Sequence, residues 1–235
     1  ERFSFYSPAH QAVVAPATPP SVEVEKGAQT SLRLASTVRG IELAFYGYRG
    51  YWTTPVGANE LGQGTFPRLN SWGASARWPI GAGLINTEFA NYDSVDDPQG
   101  ELATLPNSQS RWLVGYEREV ITDLTASVQW YLEKTHDYQA LKRSSMTENV
   151  VSEARQLLTL RLTYRAMQQK LTNSLFVFYS PTDDDGYLRL SAKYRQNDNW
   201  SYAAGGNWFW GKDDFSFFGQ HEKNSNLWFR VRYQF

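Results

Sequence analysis

The feature that most restricts this chain is strict alternation of apolar and polar side chains, sustained for about ten residues at a time. Residues 124–133 place Leu124, Ala126, Val128, Trp130 and Leu132 on one face and Thr125, Ser127, Gln129, Tyr131 and Glu133 on the other. The pattern returns at 157–166 (Leu158, Leu160, Leu162, Tyr164), at 187–195 (Leu188, Leu190, Ala192, Tyr194) and at 226–235. A period of two belongs to extended strands, since a helix would repeat every ~3.6 residues. Strands in soluble proteins average about 5–6 residues. Strands of about ten residues, each rising about 3.3 Å, are long enough to cross a bilayer when tilted.

Less regular segments at 30–38, 41–52, 71–78, 84–93, 111–120, 171–180 and 200–211 extend the series. The facing of 171–180 stays open, because Leu175, Phe176, Val177 and Phe178 are all apolar. Short connections at 38–40, 79–83, 121–123, 168–170 and 196–199 alternate with long ones at 8–29, 53–70, 94–109, 139–154 and 212–225, the short 181–186 being the exception. An up-and-down meander gives that alternation when its two rims differ. Counting back from the last strand makes 30–38 run downward. Residues 2–8, Arg-Phe-Ser-Phe-Tyr-Ser-Pro, are therefore expected to form an upward strand before it, echoing 175–181. The expected fold is all-β: one domain over residues 1–235, an antiparallel up-and-down transmembrane β-barrel of about twelve visible strands. Glu1 starts almost inside the first strand, which fits either a compact barrel or the C-terminal part of a larger one.

Composition narrows the partners. No run of about 18 apolar residues occurs, which excludes a transmembrane helix. Nine Trp, fourteen Tyr and thirteen Phe make 15% of the chain, too much apolar surface for a disordered segment. Zero cysteines exclude disulfides and thiolate metal sites. A net charge of -1 speaks against nucleic acid as a partner. No secretory leader is visible at residues 1–6, so any leader is expected to be removed or to lie outside the chain. The mean hydropathy of -0.53 suits a barrel in which only alternate residues are apolar.

The last ten residues, Asn-Leu-Trp-Phe-Arg-Val-Arg-Tyr-Gln-Phe, resemble the terminal β-signal of Gram-negative outer-membrane proteins, with Leu227, Phe229, Val231, Tyr233 and Phe235 at its alternating positions. More loosely, residues 65–76, 115–117 and 179–186 resemble porin-like proteobacterial barrels of unassigned function, whose chains are longer. The resemblance implies assembly by the barrel assembly machinery into the bacterial cell outer membrane, in contact with outer-membrane lipid and lipopolysaccharide. It says nothing about cargo or oligomeric state.

With apolar residues facing lipid, Arg161, Arg165, Arg189, Lys193, Arg195, Arg230 and Arg232 of the C-terminal strands face inward. Earlier strands place Glu42, Glu88, Glu117 and Glu133 inside, with Arg33, Arg77 and Arg111 among them. Clustered cations are costly unless water or anions reach them. A water-filled, pore-lining wall is expected, giving a porin-like channel for passive diffusion of small hydrophilic solutes with a preference for anionic ones. The alternative is that arginines and glutamates pair across a narrow lumen and plug it. A structural or partner-binding barrel without transport is a further alternative. Trp72, Trp78, Trp112, Tyr138, Tyr164, Tyr194, Trp208, Trp210 and Tyr233 suit interfacial girdles, or else cross-strand packing in a soluble β-sandwich.

No catalytic, metal or cofactor residues are assigned, and no enzymatic activity is expected. Asp96-Asp97, Asp183–Asp185 and Asp213-Asp214 read as turn formers. An outer-membrane lipid hydrolase would need a serine within reach of an outward histidine. His136 has the outward parity, with Ser144 and Ser145 nearby in sequence, but no Gly-x-Ser-x-Gly turn accompanies them.

Overall fold

The structure is a computed structural model that describes residues 5–7, 12–14, 22, 27–59, 61, 63–145 and 150–235. Its strands are β1 (Phe5–Ser7), β2 (Ala12–Val14), β3 (Thr30–Val38), β4 (Ile41–Tyr51), β5 (Gly57–Ala58), β6 (Gly64–Thr65), β7 (Arg68–Ile80), β8 (Gly83–Ser94), β9 (Gln109–Ile121) and β10 (Leu124–Thr135). Helix α1 (Tyr138–Ser144) follows, then β11 (Ala154–Ala166), β12 (Leu171–Ser180), β13 (Asp185–Arg195), β14 (Trp200–Gly211), a 3-10 helix (Gly219–Asn224) and β15 (Asn226–Tyr233). Eleven of these form one antiparallel sheet in the order β15-β14-β13-β12-β11-β10-β9-β8-β7-β4-β3. Each long strand therefore pairs with its neighbours in sequence, the meander that the alternating connections predict.

One rim carries the tight turns. Arg39 and Gly40 both take positive φ, 52° and 81°, in a two-residue turn between β3 and β4. That backbone matches the twist of the flanking strands, and glycine adopts it without strain. Turns at 81–82, 122–123, 167–170 and 196–199 lie at the same rim, and the described residues of the longer connections 52–67, 95–108, 136–153 and 212–225 lie at the other.

The twelfth strand expected from residues 2–8 does not join the sheet. Within that segment Phe5–Ser7 pairs with Ala12–Val14, in register Phe5↔Val14, while residues 2–4 and 8 lie outside the described residues. A partner a few residues away closes a small loop, which costs less chain entropy than pairing with β15 across the whole chain. The sheet is consequently not closed: β3 and β15 are its two open edges, and as the first and last of eleven antiparallel strands they run in the same direction.

Directly opposed residues of an antiparallel pair share a face. One face carries the row Ile85, Tyr116, Val128, Leu160, Val177, Leu188 and Trp208. The other carries Asn86, Gly115, Gln129, Thr159, Phe178, Tyr187 and Phe209. Among the described residues the buried apolar side chains are Ala44, Trp52, Leu69, Ala140 and Phe218, and none of them belongs to the apolar face. On that face Val128 is 53% exposed, Phe45 63% and Phe229 68%. A β-sandwich would enclose these side chains between two layers; the sheet instead leaves them uncovered, which sets the sandwich alternative aside.

Candidate solute-binding surface on the polar face

The polar face has three differently built regions. The first is crossed by a register row that runs Arg33, Tyr46, Gly73, Ala90, Arg111, Glu133 and Arg155 across seven strands. Arg111 is held on several sides. Its Nε lies 3.0 Å from the Glu133 carboxylate. It donates from Nε and Nη2 to Gln109 Oε1 at 2.9 and 2.7 Å, and stands 4.3 Å over the Tyr92 ring. The Tyr131 hydroxyl donates to Glu133 at 2.8 Å. Arg33 lies 5.7 Å over the Tyr46 ring, and the Tyr46 and Ser75 hydroxyls are 3.2 Å apart. A cavity of about 340 Å³ opens beside this network, lined by Tyr46, Ser75, Glu88, Tyr92, Arg111 and Tyr131 among others.

Toward the long-loop rim the same face is covered. The segment 212–225 folds over it, and Phe218 stacks on Phe178 and Tyr187 with ring centroids 5.7 and 6.3 Å away. The backbone N–H of Phe218 donates to Asp185 at 2.6 Å; Asp185 is fully buried. Arg155 pairs with Asp183 at 2.6 Å and lies 5.1 Å over Phe217. Asp183 and Asp185, which read as turn formers in sequence, thus hold an arginine and a loop. The signal available beforehand was Phe215-Ser-Phe-Phe218, an aromatic run inside a connection, where exposed aromatics are costly.

At the short-turn end the face is basic. Arg161, Arg165, Arg189, Lys193, Arg195, Arg230 and Arg232 all take polar-face positions in the register. Arg165, Lys193 and Arg230 share one row, with Thr172 and Ala203 between them; Arg195 and Arg232 share the next, with Ser201 between. None of the seven forms an ion pair among the described residues. Glu117 shares a cleft of about 220 Å³ with Arg161 and Arg165. Glu42 stands opposite Arg77, and Glu88 opposite Ser75. Of the four predicted glutamates only Glu133 forms an ion pair among the described residues, and its partner is Arg111.

The apolar face carries aromatics near both rims. Trp72 and Trp112 flank Phe89 with centroids 5.2 and 5.3 Å away, toward the long-loop side. Tyr164, Tyr194, Trp200 and Tyr233 lie toward the short turns, Trp200 and Tyr233 in contact at 4.9 Å. Tyr138 departs from the expected girdle, because it begins helix α1 and not a strand end. In β15, Leu227, Phe229, Val231 and Tyr233 share this face and are exposed, as is Phe235 beyond the strand.

His136 has a serine within reach, but not Ser144 or Ser145. Its Nε2 lies 2.8 Å from Ser110 Oγ, which donates to Asn91 Oδ1 at 3.0 Å. Ser110 is only 7% exposed, and its amide neighbour contacts the serine instead of orienting the imidazole. Among the described residues no carboxylate forms an ion pair with His136. No group of three or more His, Cys, Asp or Glu residues is placed to hold a metal ion among the described residues. No family model matches the chain, and no curated protein matches it.

Proposed function

We propose that this chain is a transmembrane β-barrel of the outer membrane of a Gram-negative bacterium, whose polar face lines a passive channel for small hydrophilic solutes with a preference for anions. The observation that carries the proposal is the uncovered apolar face, on strands of 8 to 13 residues in the main sheet, with no buried apolar side chain among its described residues. Monomeric soluble proteins rarely expose contiguous apolar surface beyond about 600 Å². Hydrocarbon is the environment in which such a surface is stable, and there the backbone must be hydrogen-bonded within the sheet. At about 3.3 Å per residue and a tilt of about 45°, a 12-residue strand such as β10 spans about 28 Å, close to the hydrocarbon thickness.

The terminal alternation ending at Phe235 supports assembly by the barrel machinery, and the two aromatic zones support seating between headgroup layers. Solute preference follows from the unpaired cations, because fixed charges along a wetted wall attract counter-ions. Planar-bilayer recording of the purified protein tests the reading. Discrete conductance steps with a reversal potential on the anion side are expected under a salt gradient. Absence of any discrete conductance would remove the channel.

A further inference from the structure

We propose that the short-turn end of the polar face is a discrete binding site for a small solute carrying two oxyanion groups. The inference rests on reading the polar face as a solute path and goes further by naming the ligand class. A cleft of about 430 Å³ is lined there by Arg165, Gln169, Lys170, Thr172, Lys193 and Arg195. None of its four cations is ion-paired among the described residues.

The spacing selects the ligand. Arg165 and Lys193 lie in one row on strands β11 and β13, separated by Thr172 of β12. Neighbouring strands are about 4.8 Å apart, so the two backbones stand about 10 Å apart. A halide bound at one cation leaves the other unneutralised, whereas a molecule with an oxyanion at each end meets both. Arginine offers a planar fork to such a group and lysine a point charge. The intervening side chains are small at Thr172, Ala203 and Ser201, so they leave the long cations room to converge.

The turn beside the cleft is also unusual. Met167, Gln168 and Gln169 all take positive φ, at 54°, 54° and 66°. Three successive non-glycine residues in the left-handed region cost about 1–2 kcal/mol each. Strain of that kind persists where the surroundings fix it, and it clusters at sites that hold ligands. Here it sets the approach of Gln169 and Lys170 to the cleft.

Inorganic pyrophosphate is the probe, titrated calorimetrically into the full chain in detergent micelles. Saturable binding is expected, resistant to equimolar chloride and weakened by raising ionic strength. The double substitution Arg165→Gln with Lys193→Gln is expected to weaken it at least about tenfold. Lys193→Arg keeps the charge and should bind within about threefold of the native chain. Lys142→Ala, on helix α1, should change nothing. The proposal is overturned by absence of saturable binding, by equal affinity in the folded double variant, or by loss of binding in Lys193→Arg. Conductance without saturable pyrophosphate binding would remove the site and keep the channel; binding without conductance would do the reverse.

Discussion

Arg111 and Arg230 occupy the same face of the same sheet, yet their surroundings have little in common. Arg111 has a carboxylate, an amide oxygen and an aromatic ring within contact distance, and its side chain is 29% exposed. Arg230 is exposed and has no ion pair among the described residues. A cation already supplied with partners spends its charge on holding strands together. One without partners keeps its field for whatever passes. A position on the polar face alone therefore does not leave a cation's charge available to a ligand; the absence of a protein partner is the second condition.

Three experiments would break or sharpen that contrast. The largest effect is expected at Asp183, whose carboxylate pairs with Arg155 at side-chain exposures of 16% and 18%. Arg155 Nη2 already lacks a hydrogen-bond partner among the described residues, so Asp183→Ala would leave a half-buried cation without its paired carboxylate and cost about 3 kcal/mol in thermal unfolding in micelles. An unchanged melting temperature would mean that the rim pair is ornamental. Glu133→Gln keeps shape but removes the charge facing Arg111 and the charged acceptor of Tyr131. A loss of about 1–2 kcal/mol is expected, since the pair is part-exposed and Gln109 still accepts from Arg111. The smallest stability change is expected for Arg230→Ala with Arg232→Ala, within about 0.5 kcal/mol, because no ion pair is lost. The same double variant should lower anion preference in bilayer recordings. A reversal potential equal to that of the native chain would show that this end does not filter ions.

The sheet was legible because its signal is local. Alternation at 124–133 and 157–166 places Val128 and Leu160 on one face, and the pairing Val128↔Leu160 joins them as neighbours. The segment 171–180 needed the register, since four successive apolar residues carry no alternation. Pairing puts Leu175 and Val177 on the apolar face and turns Phe176 and Phe178 to the polar one, where Phe178 meets Phe218. The partner of Phe5–Ser7 was not legible, because three residues carry too little alternation to select an edge, and a nearby segment closes the smaller loop. At the candidate site, parity was enough to place the seven C-terminal cations on one face. It held no information about which cations are paired, because pairing depends on register between strands, which sets Glu133 opposite Arg111, and on Asp183 of the β12–β13 connection, which reaches Arg155.

The shared orientation of β3 and β15 restricts how the band becomes a ring. Margins that meet directly must join side by side, with the slanted, evenly spaced bonds of parallel neighbours at that one seam. A ring that is antiparallel throughout must admit an odd number of additional strands. If a single segment fills the gap, it threads from one rim to the other, and the stretches of chain on either side of it emerge at opposite rims.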